Sequence, residues 1–198
     1  MLKLMTEPAD TRELILRAAM TRILHYGYAK TTMAEIAKDC DMSAGNIYRF
    51  FKSKLDIAEA IVRGFNQAFY QLFAQIARRL DEPALPRLTE LFKARLERTY
   101  HMMQKNGKAL EMADVLARER PSYYDEELAQ ERIYIVQILE QGIKSGEIKL
   151  SESPSFTAEM LQIALMKFES PRFWAEDSYE DLVREFDGVM HLLEKSMI

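Results

Sequence analysis

The sequence predicts an all-α protein with a small N-terminal three-helix head and a larger helical body. Apolar residues recur at the three- and four-residue spacing of amphipathic helices along nearly the whole chain, and no stretch alternates as a half-buried strand does. Only seven Gly and six Pro occur in 198 residues, so few positions interrupt the helices. We expect about nine helices, with a head over residues 1–54 and a body over residues 55–198.

The composition excludes several classes of protein. Hydrophobic residues make up 48% of the chain, which is too many for a disordered protein. Cys40 is the only cysteine, so disulfides do not hold the fold. No apolar run approaches the roughly 20 residues that a membrane-spanning helix needs. Residues 1–10 lack the apolar region of a secretory signal. We therefore expect a cytoplasmic protein with no membrane partner.

The first predicted helix covers Thr11–Tyr26. Its apolar residues recur every three or four positions and form one face for burial. Asp10 and Glu13 have the spacing of an N-terminal capping box, in which two side chains satisfy the first free amides. Gly27 follows the helix and predicts a left-handed residue that ends it.

Hydroxyl side chains predict the next three helix starts. Thr32 and Glu35 form a second capping box ahead of a short helix. Ser43 and Ser53 stand directly before two further helical patterns, where each can accept a hydrogen bond from a free amide. These two helices are expected over Ala44–Phe51 and Lys54–Leu80.

Glycine and proline separate the remaining helices. The segments between them keep helical periodicity, and the chain contains no internal repeat or low-complexity segment. The five helices of the body that follow are expected over Leu85–Lys105, Lys108–Arg118, Tyr123–Ser145, Ser155–Phe168 and Tyr179–Met197.

Positive charge is concentrated near the N-terminus. The first 55 residues contain nine Lys or Arg and six Asp or Glu, a net charge of +3, whereas the rest of the chain carries −7. Between Ser43 and Leu55 there are three bases and no acid. This asymmetry is compatible with an anion-binding head on an acidic body.

Residues 31–54 have the pattern of a helix-turn-helix, in which the second helix enters the major groove of DNA. That helix needs small polar residues at its start, because its N-terminus approaches the base edges. Ser43, Ala44, Gly45 and Asn46 meet this need. Glycine lets the backbone come close, at a cost in helix propensity of about 1 kcal/mol relative to alanine. The Asn46 amide can pair with a base edge.

Hydroxyl and cationic side chains follow in the same segment. Tyr48, Arg49, Lys52 and Lys54 are of the types that contact DNA phosphates. Of the two phenylalanines between them, Phe51 is expected in the core, and the position of Phe50 stays open.

Residues 10–60 resemble the DNA-binding domain of the TetR family of bacterial transcriptional regulators. The family has an aromatic loop after the first helix, here Tyr26–Tyr28, and then the pattern T-t-x-x-x-I-A-x-x-A-G-V-S-x-G-x-x-Y-x-x-F-x-x-K. The chain matches this pattern at Thr31, Thr32, Ile36, Ala37, Ser43, Gly45, Tyr48, Phe51 and Lys54.

The resemblance implies a nine-helix, Ω-shaped homodimer that binds a palindromic operator, usually as a repressor, and is released by a small molecule bound in the body. Carried over position by position, five residues occupy base-reading or base-adjacent places: Ser43, Ala44, Gly45, Asn46 and Tyr48. Four occupy phosphate-contacting places: Thr32, Tyr48, Arg49 and Lys54.

Two positions depart from the family pattern. Asp41 stands where the turn has glycine, and Cys40 stands where it has alanine. Aspartate tolerates a left-handed backbone better than most residues, so we expect the turn to survive. A negative charge there could weaken non-specific DNA binding. Cys40 is expected to be a small core residue rather than a redox sensor.

Large apolar and aromatic residues in the body are candidates for an effector pocket. The chain has twelve Met and nineteen Phe and Tyr, which could surround an apolar or aromatic ligand. The alternative is that they are ordinary core residues, because the sequence does not say which helical face is inward. The selected candidates are Phe69, Tyr100, Met103, Met112, Tyr123 and Trp174.

The last two predicted helices are candidates for a dimer interface. The final helix has one continuous apolar stripe, and the helix before it is apolar on two sides, which suggests that a partner covers one of them. In the family that it resembles, these helices form a four-helix bundle between protomers. The selected interface residues are Met160, Leu161, Leu165, Leu182, Phe186, Val189 and Leu193.

Two other functions are alternatives to that of a DNA-binding regulator. An enzyme is disfavoured, since no nucleophile, nucleotide-binding or metalloprotease motif occurs. His25, His101 and His191 lie far apart, so neither a metal site nor a cofactor is expected. A ligand-binding or protein-interaction module that no longer binds DNA remains the alternative, supported only by Asp41.

Overall fold

The computed structural model describes residues 11–105, 107–174 and 177–198. Across these residues the regular secondary structure consists of nine α-helices and two short 3-10 helices. The predicted all-α fold with about nine helices is confirmed. None of the described helices is long and apolar enough to cross a bilayer. Asp10 of the predicted first capping box lies outside the described residues.

The helices follow the predicted order with few shifts in their ends. In chain order they are α1 (Thr11–Tyr26), α2 (Met33–Asp39), α3 (Ala44–Ile47), α4 (Lys54–Ala77), α5 (Ala84–Lys105), α6 (Gly107–Glu119), α7 (Pro121–Ser145), α8 (Pro154–Ala164) and α9 (Tyr179–Lys195). The two 3-10 helices, Met166–Glu169 and Pro171–Phe173, lie between α8 and α9.

The described chain divides into two compact units. The first holds residues 11–66 and 107–121, and the second holds residues 67–105 and 122–198 without 175 and 176. Helix α6 therefore belongs with the N-terminal helices, and α1 packs against both α2 and α6. The boundary that the sequence places at residue 54 concerns the DNA-binding segment and stays a prediction.

Helix α3 is shorter than predicted, ending at Ile47 rather than at Phe51. The chain then tightens into turns, in which the amide of Arg49 donates to Asn46 and that of Phe50 donates to Ile47. These turns carry Phe51 into the core, where it is almost fully buried, while Phe50 stays partly exposed. The predicted core position of Phe51 is confirmed.

Helix α4 ends at Ala77 rather than at Leu80, and two side chains of the second unit bind the carbonyl of this last residue. The buried Arg87 guanidinium donates to the Ala77 carbonyl at 3.2 Å and to the Gln141 amide oxygen at 2.7 Å. The Gln141 amide also donates to Ala77, at 3.1 Å. Leu80 is left exposed in the loop that follows.

The core of the second unit is one continuous apolar cluster. Helix α5 packs against α9, and residues of α4, α7 and α8 complete the cluster. Its largest fully buried members include Phe73, Leu88, Leu91, Leu96 and Phe186. Helix α8 stops at Ala164, earlier than predicted, and the Trp174 indole then donates to the Lys167 carbonyl at 2.8 Å, which holds the 3-10 segment in place.

Candidate functional site

A tight left-handed turn joins α2 to α3. Asp41 has φ of +53°, so the predicted tolerance of aspartate for this conformation is confirmed. The amide of Asp41 donates to the Lys38 carbonyl at 3.1 Å, and that of Met42 donates to the Ala37 carbonyl at 2.9 Å. Asp41 thus closes the turn at the position where the TetR pattern has glycine.

Side-chain caps fix the starts of the three helices around this turn, as predicted. The Thr32 hydroxyl accepts from the Glu35 amide at 3.3 Å, while the Glu35 carboxylate accepts from the Thr32 amide at 2.9 Å. Ser43 caps α3 by accepting from the Asn46 amide at 3.2 Å. Ser53 caps α4 in the same way, by accepting from the Asp56 amide at 3.1 Å.

The short helix α3 presents most of the predicted DNA contacts on its outer face. Ser43, Ala44 and Gly45 are exposed, and Asn46 is half-buried. Tyr48 is 52% exposed and Arg49 is also exposed. On the opposite side Ile47 is fully buried, and α3 packs against α2. One face of α3 is therefore anchored in the head while the other is open.

Arg22 joins α1 to α2 and was not singled out from the sequence. Its guanidinium donates to both carboxylate oxygens of Asp39, at 2.6 and 2.8 Å, and lies 3.3 Å from Glu35. The hydrogen bond from Arg22 lowers the pKa of Asp39. Two-point binding of this kind fixes direction as well as distance, so it holds α2 in a defined orientation on α1.

Lys54 has a structural role in addition to its predicted contact with a phosphate. Its ammonium donates to the carbonyls of Tyr28 and Thr31, at 2.6 and 2.7 Å, and lies 4.1 Å from the centre of the Tyr28 ring. Thr31 itself is buried and donates to the Gly27 carbonyl at 2.9 Å. Lys54 therefore fastens the loop between α1 and α2 to the start of α4.

Cys40 is buried in the head, as expected of a core residue. Its thiol lies 3.9 Å from the Leu14 carbonyl, which is a weak contact at most. Burial raises the pKa of the Cys40 thiol, so the reactive thiolate is disfavoured. Across the described residues, no group of His, Cys, Asp and Glu side chains has the arrangement of a metal site.

Five of the six effector-pocket candidates lie in the second unit. Phe69, Tyr123 and Trp174 are buried there, and Tyr100 and Met103 are partly buried against the same core. The Tyr100 and Trp174 ring centres are 6.0 Å apart. The sixth candidate, Met112, is buried in the first unit.

The second unit also buries a group of charged side chains that the sequence did not reveal. Arg95 pairs with Glu131, and its guanidinium lies 3.1 Å from Glu169. Burial raises the pKa of Glu169, and its Oε1 atom accepts no hydrogen bond from any described residue.

Arg98 lies one turn further along α5. Its guanidinium is 4.5 Å from the centre of the Phe69 ring, and burial lowers its pKa to about 10. Tyr70 of the same unit donates its hydroxyl to the buried Glu127. Polar and aromatic groups are thus interleaved here inside an otherwise apolar unit.

The predicted dimer residues differ in exposure. Leu161, Leu165, Leu182 and Phe186 are buried within the single chain, where they belong to the core of the second unit. Val189 and Leu193 are half-buried, and Met160 is exposed. The exposed apolar face of α8 consists of Phe156, Met160 and Ile163, at positions i, i+4 and i+7.

Two family models match the chain. Residues 15–61 match the model described as bacterial regulatory proteins, tetR family. Residues 84–190 match the model described as a tetracyclin repressor-like C-terminal domain.

Individual proteins resemble the chain over most of its length. The HTH-type transcriptional regulator YhgD of Bacillus subtilis (strain 168) is 30% identical over 173 residues, 79% of this chain and 83% of YhgD. The HTH-type transcriptional repressor KstR2 of Mycolicibacterium smegmatis is 26% identical over 148 residues, 73% of this chain and 70% of KstR2. The crystal structure of the regulator FadR from Bacillus subtilis, in complex with stearoyl-CoA, has a TM-score of 0.63 at 22% identity, covering 94% of this chain and 99% of FadR.

The contacts of Lys54 predict a loss of stability when its charge is removed. Lys54→Met keeps the length of the side chain but leaves the Tyr28 and Thr31 carbonyls without their donor, which we expect to cost about 1–3 kcal/mol in the free energy of unfolding. Lys52→Met, two residues earlier and exposed, is the control and should change it by less than about 0.5 kcal/mol. Urea unfolding followed by circular dichroism measures both. Equal midpoints for the two variants would contradict the structural role of Lys54.

Proposed function

Since the chain belongs to the TetR family of bacterial regulatory proteins and is a DNA-binding, ligand-responsive transcriptional regulator, we propose that it represses from a palindromic operator as a homodimer. It does so in the cytoplasm and without catalysing a reaction. The exposed face of α3 reads the bases, and an effector bound in the second unit releases the DNA.

The observation that carries this proposal is the division of α3 into a buried and an exposed side. Ile47 holds the helix in the head, while the small residues at its start leave room for the backbone to approach base edges. In this position the Asn46 amide pairs with a base. Tyr48 extends from the end of the helix to a neighbouring base or phosphate.

Phosphate contacts come from both ends of the helix-turn-helix. Arg49 is exposed directly after Tyr48, and the exposed Thr32 stands at the start of α2. An ammonium group has three donors, and Lys54 uses two of them on backbone carbonyls, so one remains for a phosphate. Asp41 gives no support to a module that has lost DNA binding, because its conformation serves the turn.

The exposed apolar side of α8 supports the proposed dimer. Phe156, Met160 and Ile163 form one stripe that water covers in a single chain. A second copy would bury this stripe together with the half-buried Val189 and Leu193 of α9. The buried Leu161, Leu165, Leu182 and Phe186 then support the interface from inside the protomer. Two-fold symmetry presents two α3 helices to two half-sites about 34–36 Å apart or farther.

The effector site that we propose is the group of buried charges in the second unit. Burying ions costs several kcal/mol each unless they are paired, so the Glu169 oxygen that no described residue satisfies is the group to which a ligand would bind. A ligand that donates a hydrogen bond would satisfy this oxygen. Phe69, Tyr100, Met103, Tyr123 and Trp174 supply apolar surface for the rest of such a molecule, and Met112 is omitted because it lies in the first unit. The stearoyl-CoA bound by FadR is a precedent for a long apolar chain.

Removing the Tyr48 side chain tests DNA reading. Tyr48→Ala should weaken binding to a selected operator by about 10- to 100-fold, or about 1–3 kcal/mol, without changing the circular dichroism spectrum. The matched control is Tyr26→Ala, since Tyr26 is 51% exposed on α1 and has no predicted contact with DNA. Fluorescence anisotropy at several salt concentrations measures affinity, which should fall steeply as salt rises. If wild-type protein shows no preference for selected over random duplexes, the proposed function is wrong.

Charging the α8 stripe tests dimerisation. Ile163→Asp places a carboxylate in the proposed apolar interface and should convert the dimer to a monomer while leaving each chain folded. Ile133→Asp is the control, because Ile133 is a similarly exposed isoleucine, on α7. Analytical ultracentrifugation gives the masses. A wild-type monomer, or equal masses for both variants and the wild type, would contradict the proposed interface.

Three ten-carbon compounds test the effector chemistry. Decylamine and decanol can donate a hydrogen bond to Glu169, whereas decanoate at neutral pH can only accept one. The first two should raise the melting temperature and weaken operator binding more than decanoate does. In Glu169→Gln the advantage of the amine over decanoate should shrink, because the glutamine amide can donate a hydrogen bond to decanoate as well as accept one from the amine. Equal effects of all three compounds on the wild type would contradict a donor-binding site.

A further inference from the structure

A surface cavity of about 360 Å3 lies in the first unit, directly after the helix-turn-helix. Four basic and two acidic side chains contribute to its wall, together with apolar groups. The lining residues are Arg12, Phe50, Phe51, Lys52, Asp56, Glu59, Ala60, Arg63 and Arg120. The cavity therefore adjoins the residues that follow Tyr48 in the proposed DNA-binding surface.

Arg120 binds both acidic residues of this cavity. One terminal nitrogen of its guanidinium pairs with Asp56 and the other pairs with Glu59, so it bridges two successive turns of α4. Glu59 also accepts from the Arg63 side chain at 2.8 Å. Burial opposes the ionisation of both carboxyls, but the hydrogen bonds that they accept outweigh it, and the pKa of each is lowered. The two acids and two arginines form a cluster with no net charge.

This cluster lies next to the cationic residues of the proposed DNA-binding surface. Asp56 is the first acidic residue after the acid-free stretch that ends at Leu55, and it shares the cavity wall with Lys52. Charges within about 8 Å of one another, the Debye length at physiological ionic strength, are only partly screened. An unpaired carboxylate here would lower the positive potential of the surface that meets the phosphates.

We propose that Arg120 is a positioning residue for DNA binding, which acts by neutralising Asp56 and Glu59 at the start of α4. The inference rests on the proposed DNA-binding function and adds a residue that supports it from outside α3. Arg120 lies at the point where the chain leaves the first unit, since α7 begins at Pro121. Without this pairing, the two carboxylates would place negative charge beside the cationic segment that ends at Lys54. DNA affinity would then fall without any change within α3.

Replacing Arg120 tests this role. Arg120→Ala should weaken operator binding about 3- to 10-fold at low salt, and the difference from wild type should shrink as salt rises, because it comes from unscreened charge. Arg118→Ala removes the same charge two residues earlier, at a site where the side chain is 70% exposed and, within the described part of the chain, pairs with its neighbour Glu119. That control should bind within about twofold of wild type. Anisotropy titrations at four salt concentrations measure the affinities.

Two further variants separate charge from structural damage. Arg120→Lys keeps the charge without the two-pronged geometry and should retain most of the affinity. Arg120→Ala/Asp56→Asn returns the cluster to zero net charge and should recover most of what Arg120→Ala lost. A loss that persists equally at all salt concentrations, or that Asp56→Asn does not recover, would show that Arg120 only stabilises the fold. Binding of wild-type protein to the operator in the same titrations establishes the proposed function separately, so the two failures are distinguishable.

Discussion

A helix of four residues cannot hold its own shape in water, and α3 is such a helix. Its conformation depends on groups outside it. Ser43 caps its start, Ile47 is buried beneath it, and the left-handed Asp41 fixes the direction from which the chain enters. Each group satisfies a backbone atom or removes apolar surface from water. Apart from the Ser43 hydroxyl, which both caps the helix and lies on its outer face, that face is left available for DNA contacts.

The two units use charge in different ways. In the first unit the pairs are partly exposed and join successive helices, as Arg22 does between α1 and α2. Such pairs contribute little net stability, but their geometry sets orientation. In the second unit Glu131 and Glu169 meet Arg95 away from water. Apolar side chains would fill that space at lower cost. This cost of burying the ions is the reason for proposing that they bind a polar ligand.

The sequence predicted what depends on neighbours in the chain. The hydroxyl caps at Thr32, Ser43 and Ser53 each act within three residues, and so does the turn at Asp41. Helix ends were less predictable where distant groups compete for the backbone, as Arg87 and Gln141 do at the end of α4.

The same distinction holds for the candidate site. The exposed face of α3 follows from local spacing, whereas the bond from Lys54 to Tyr28 spans 26 residues and that from Arg120 to Asp56 spans 64. The buried charges of α5 and α7 were not predicted because helical periodicity shows that a face is buried without showing which polar residues face each other.

A ligand and DNA affect each other's binding only if some element has two arrangements that each of them favours differently. Helix α4 is one uninterrupted helix that contributes its first turns to the head and its last turns to the second unit. In its first turn, the Lys54 ammonium binds the loop before α2, and Asp56 pairs with Arg120, which directly follows α6. Both contacts lie within the first turn of the same helix, so a change in the position of that turn affects both. By linkage, any coupling between the two ligands is reciprocal: DNA disfavours effector binding by the same free energy with which the effector disfavours DNA.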